Sequence, residues 1–168
     1  EADDTLHLVR GTHSLNHRSR PLGGEWSVED SYEDGPGGIN YFLRLVEYQG
    51  TLALLGQTDG YLIERAADGT WTTDMSVGGA GQGELRYDSA GTLHLTNATG
   101  GYSYRPLGGM LTPVTLPPEL DAGEMTAVTE IDGVIHVCTA TYPNASCASS
   151  ADDFASVTAT HGTEVTGV

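Results

Sequence analysis

The chain of 168 residues contains no lysine, seven arginines, two cysteines, two tryptophans and two phenylalanines. Each scarcity excludes something. Seven cations against 23 carboxylates leave a formal net charge of −16. Nothing here neutralises a row of phosphates, so the charge disfavours nucleic acid as a partner, and equally an anionic membrane surface. No apolar run approaches the ~20 residues of a membrane-spanning helix, so membrane insertion by a helix is not expected. Long helical periodicity is missing as well. The sequence also lacks a Ser nucleophile elbow, a phosphate-cradling glycine loop and a His-Glu-x-x-His pair, which removes the commonest one-line signatures of catalysis.

What is present is glycine, at 23 residues, between short runs of Val, Leu, Thr and Tyr. Such runs cut by Gly and Asp turns read as all-β. One phrase recurs as Thr5-Leu6-His7-Leu8, Thr51-Leu52-Ala53-Leu54, Thr92-Leu93-His94-Leu95 and Val134-Ile135-His136-Val137, at spacings of 46, 41 and 42. Arg20-Pro21-Leu22-Gly23-Gly24 is duplicated letter for letter as Arg105-Pro106-Leu107-Gly108-Gly109. Trp26, Trp71 and Leu111 each follow an arginine by six residues, and Phe154 fills the bulky slot of the last unit. Taking Glu84 to Thr115 as reference, each unit has four strands, here called A to D, with tight turns after A and C.

Units of about 40 residues with four short strands are the blades of a β-propeller. The expected fold is therefore all-β, with four four-stranded antiparallel blades in one domain over 1–168. Their bounds are about 1–30, 39–77, 83–116 and 124–160. Residues 164–168 fall where a strand A is due, so they are expected to complete the first blade. A ring of four closed in this way, and a segment of a larger ring, both remain open. The pattern resembles that of secreted bacterial β-propeller repeat proteins, loosely akin to sialidase-type and quinoprotein-type blades. Ala67-Asp68-Gly69-Thr70-Trp71 resembles the end of an Asp-box without its serine. This is a likeness of fold, and it implies no single activity.

Several residues of the repeat carry side chains with chemical potential, and packing competes with chemistry at each. His7, His94 and His136 share a repeat position on strand B, where packing between blades with a hydrogen bond is expected rather than a metal ring. Arg20, Arg65 and Arg105 close strand C and are expected to make salt bridges or stack on aromatic rings. Arg44 and Arg86, on strand A, are the better candidates for touching an acidic ligand. Glu29, Asp30, Glu33 and Asp34 crowd one loop as a candidate calcium site, though the Asp-x-Asp-x-Asp-Gly spacing is absent and a solvated acidic loop is the default; no other cofactor is expected. Cys138 and Cys147 flank a turn and are expected to form a disulfide, which fits an oxidising compartment and a secreted or cell-surface location. Asn97 and Asn144 stand in weak glycosylation sequons on equivalent turns.

In a propeller the B–C and D–A connections share one face, and ligands commonly meet it. Tyr32 and Tyr142 are the expected anchors there. The expected function is an extracellular, non-catalytic binding or assembly module for a protein or carbohydrate. A glycoside-active propeller enzyme, or a fragment of one, is the first alternative. A structural surface or filament subunit, completed by another copy or a partner chain, is the second. The acidity fits either a lysine-poor, GC-rich background or a high-salt habitat.

Overall fold

The computed structural model describes residues 5–10, 14–32, 42–56, 61–74, 83–96, 101–117, 120, 125–141, 144–151 and 158–161. Fifteen strands and no α-helix occur among them. No helix is long and apolar enough to cross a membrane. The chain divides into two compact units, Glu1–Gly78 and Gly79–Val168.

The first unit holds two antiparallel sheets. One has β1 (Thr5–Arg10), β2 (Leu15–Pro21) and β3 (Asp30–Tyr32) in that order. The other runs β4 (Phe42–Tyr48), β5 (Thr51–Gly56), β6 (Leu62–Arg65) and β7 (Trp71–Asp74). The second unit holds β8 (Leu85–Tyr87), β9 (Leu93–Thr96), β10 (Tyr102–Arg105) and β11 (Thr112–Val114) in one sheet. Its second sheet is β12 (Met125–Ile131), β13 (Val134–Thr141), β14 (Asn144–Ser150) and β15 (Thr158–His161). Every strand pairs with its neighbour in sequence, which is the up-and-down order of a propeller blade. Three sheets are four-stranded as expected, and the first shows three strands among the described residues. Its expected fourth strand, 164–168, lies outside them, as does Phe154.

The turns follow from local chemistry. Leu22-Gly23 and Leu107-Gly108 stand at the centres of two identical turns, closed by Gly24 N–H to Pro21 O and Gly109 N–H to Pro106 O, both 2.8 Å. Gly23 and Gly108 have φ of 75° and 72°, the left-handed value that a type II turn requires at its third residue. A five-residue repeat thus becomes a repeated turn. The hairpins β4–β5 and β12–β13 turn on Gln49-Gly50 and Asp132-Gly133, with positive φ at both residues of each pair. This is the type I′ geometry that matches strand twist. Trp26 departs from expectation. It lies in the irregular segment between β2 and β3, where Arg20 stacks over its ring at 5.1 Å.

Each unit has its own apolar core. Leu15, Leu52, Leu54 and Ile63 form that of the first, with Val9, Tyr32, Tyr61 and Trp71 packed around it. Tyr102, Leu116, Leu120, Val128, Ile135, Val137 and Ala148 form that of the second. Strands β5 and β9 are buried on both faces, from Leu52 to Gly56 and from Leu93 to Thr96. Alternating residues of a strand point to opposite sides, so burial without alternation means that both sides of the sheet are covered there.

Candidate functional site

The densest polar cluster of the first unit lies where its two sheets meet. Strand β2 places His17 inward, 3% exposed, opposite Val9 of β1. Its Nε2 lies 3.0 Å from Nδ1 of His7, and the two rings stack with centroids 5.3 Å apart. Strand β3 brings Asp30 to within 3.8 Å of His17 Nδ1. The carboxylate of Asp30 also accepts from Arg65 Nε of β6 at 2.6 Å. Trp71 presents its ring to His17 edge-on at 6.2 Å and stacks on Tyr32 at 5.6 Å. The Tyr32 hydroxyl bonds to Thr73 Oγ1 at 2.8 Å. Desolvation first, then the neighbouring Arg65 and His7, push the pKa of His17 down from 6.5 to about 4, against an upward pull from Asp30. His17 is therefore neutral near pH 7, and one of its ring nitrogens keeps a lone pair.

The second unit carries the counterpart. His94 of β9 is 1% exposed. Its Nδ1 lies 2.6 Å from the Tyr102 hydroxyl and its Nε2 lies 3.1 Å from Asp88 Oδ2. Asp88 also accepts the N–H groups of Ala90 and Thr92 through Oδ1, so one carboxylate both shapes the turn before β9 and anchors the histidine. Both imidazole nitrogens are thus satisfied inside the protein, as the repeat position predicted for a packed histidine.

These two clusters occupy one repeat slot. His17 sits opposite the residue two past His7, and Tyr102 opposite the residue two past His94. The same slot holds Leu62 in the second sheet and Cys147 in the fourth, where Cys147 faces its disulfide partner Cys138. The alignment of His7, His94 and His136 was readable in the sequence. Their strand-C partners were not, because the B–C connections differ in length and shift the spacing from histidine to partner.

The other expected site residues lie on separate elements. Arg44 is exposed on β4 of the first unit. Arg86 is exposed on β8 of the second, where its Nη1 donates to Thr129 Oγ1 at 3.1 Å. Tyr32 lies in strand β3 rather than in a loop, with its hydroxyl and one ring face engaged as described. Tyr142, Asn97, Glu33 and Asp34 lie outside the described residues; Asn144 opens β14. Glu29 accepts from Arg10 at 2.9 Å and from Arg18 at 3.1 Å, and Asp30 is held by Arg65, so both carboxylates have cationic partners. No group of three or more metal-binding side chains occurs among the described residues. At the Asp-box-like turn, Asp68 Oδ1 accepts the Thr70 N–H at 2.9 Å, and this bond with the Thr70 hydroxyl holds the Asp68 carboxyl below its usual range.

No protein-family model and no curated protein matches the sequence. Solved structures share the fold, two of them as follows. A streptogramin B lyase matches with a TM-score of 0.63 and 12% identity over 94% of this chain and 54% of its own. Virginiamycin B lyase from Staphylococcus aureus matches with a TM-score of 0.62 and 11% identity over 95% and 55%. The chain has the β-propeller fold. It spans about half the length of these two propellers. Identity this low carries architecture alone, and kinship with the sialidase or quinoprotein types finds no support in either neighbour.

Proposed function

We propose that the chain is an extracellular, non-catalytic binding or assembly module that contacts a protein or carbohydrate through its B–C and D–A connections. The observation that supports this reading is where the polar groups of the sheets spend their hydrogen bonds. Buried His94 bonds to Tyr102 and Asp88, and the half-buried Asp30 and Glu29 are each held by arginine. These bonds tie strands and sheets together. The Cys138–Cys147 disulfide supports an oxidising compartment. Arg44, Arg86, Tyr142 and Tyr32 are the residues proposed to make the contact. The net charge of −16 favours neutral or cationic partners over anionic ones.

An enzymatic reading takes its support from the neighbours, both of which are lyases. Neutral His17, 3.8 Å from Asp30, would be its base. One pair of experiments separates the two readings. Titration calorimetry uses a neutral glucan and a cationic chitosan as probes, and a turnover assay uses streptogramin B. Binding that is lost in Tyr142→Ala, with no turnover, supports the binding module. Turnover that is lost in His17→Gln overturns it in favour of the enzyme, and binding indifferent to Tyr142→Ala removes the loop face from the reading.

A further inference from the structure

We infer that the outer face of the first sheet is an interface for a second copy of this chain. The face is distinct from the loop face above, and the inference goes beyond that reading without depending on it. Strand β1 alternates strictly. Thr5, His7 and Val9 turn inward, while Leu6 and Leu8 are 49% and 47% exposed. The equivalent strands β5 and β9 are buried on both sides. The same strand of the repeat is thus covered twice in two sheets and once in the first. A propeller sheet packs on both faces, so Leu6 and Leu8 occupy positions that in other blades are core.

Charge says what covers them. Cross-strand pairs point to one side of a sheet, and Leu6 faces Arg20 while Leu8 faces Arg18. Arg10 continues the same side of β1, and among the described residues only Glu29 offsets these guanidiniums, through Arg10 and Arg18. Arg18, Arg10, Leu8, Asn16 and Glu29 line a groove of about 250 Å³ on this side. Three of the seven arginines of a chain with net charge −16 therefore sit on one apolar face. The surface that complements such a face is acidic, and 23 carboxylates make a second copy an acidic partner. Face-to-same-face pairing would set arginine against arginine, so the contact is heterologous, with the arginine face of one copy on a carboxylate-bearing face of the other. Two copies also carry about as many residues as one of the matched propellers, of which this chain spans 54% and 55%.

The test is solution mass by light scattering, with the double variant Leu6→Lys/Leu8→Lys beside the unaltered chain. Both residues are half exposed, so circular dichroism should show an unchanged fold. The expected result is a species of twice the 17.7 kDa chain mass or more at about 100 µM, weakened at least ~10-fold in the variant. A monomer at that concentration overturns the inference, and so does an assembly indifferent to the two substitutions. Glycan binding by a monomer would leave the loop-face reading standing and remove only this one.

Discussion

In the third sheet the repeat histidine, His94, meets a tyrosine hydroxyl and a carboxylate; in the first, His7 meets a second imidazole. The register is the same, and so is the stacked geometry, at 6.0 Å and 12° for His94–Tyr102 and 5.3 Å and 17° for His7–His17. The chemistry differs. A hydroxyl both donates and accepts, so it satisfies either tautomer of its histidine. Two imidazoles share one hydrogen bond only while one of them offers a lone pair. A second proton on the pair sets N–H against N–H beside the Arg65 guanidinium. The third sheet thus has a hydroxyl that fits whichever role Asp88 leaves to Nδ1 of His94, and the first has a pair that acid opens.

Substitution at His94 should give the largest effect. His94→Ala removes a buried ring and leaves the Tyr102 hydroxyl without its partner, at a cost of about 4 kcal/mol by urea denaturation. The half-buried His7 should cost clearly less as His7→Ala. Equal losses would break the comparison by making the first pair as deeply structural as the third.

Acid tests the other side. His17 binds its proton more weakly when folded, with a pKa near 4, than the ordinary 6.5 it regains on unfolding. Its contribution to stability is therefore whole above about pH 6.5 and falls as the pH drops toward 4. The total loss is on the order of 3 kcal/mol, from the size of that shift. His17→Tyr, which copies the third sheet, should flatten this part of the stability–pH profile. A slope that survives the substitution would place the sensitive group elsewhere.

Two smaller effects sharpen the comparison. Tyr102→Phe deletes only the hydroxyl and leaves a buried His94 nitrogen unpaired, for about 2 kcal/mol. Gly23→Ala and Gly108→Ala force a Cβ into the left-handed region at φ of 75° and 72°, with nothing within 4 Å of the added atom. Each should cost about 1 kcal/mol by thermal melting. The two values should agree, because the turns are the same five letters; unequal losses would mean that the sheets bear on their turns differently.

The strand-and-turn plan was legible because it is written in local chemistry. The recurrence of Thr-Leu-His-Leu, the duplicated Arg-Pro-Leu-Gly-Gly and the Gly- and Asp-bearing turns need no tertiary partner to be read. The arginine roles were legible in kind, and Arg20 on Trp26 and Arg65 on Asp30 bear them out. Asp30 and Tyr32 were less so. The acidic loop reads as solvated, whereas the structure draws its first residues into β3 and fixes them against the second sheet.

The sequence alone determined the periodicity, the places of the tight turns, the pairing of Cys138 with Cys147 across a short hairpin and the sign of the protein's field, because each depends on neighbours along the chain or on a sum over it. Only the tertiary structure decided which side chains close each histidine pair, that Arg65 reaches Asp30 from another sheet and that Leu6 and Leu8 are left uncovered. Those facts depend on residues brought together across loops of unequal length. Nothing in the spacing of a sequence records which face of a sheet another sheet will cover.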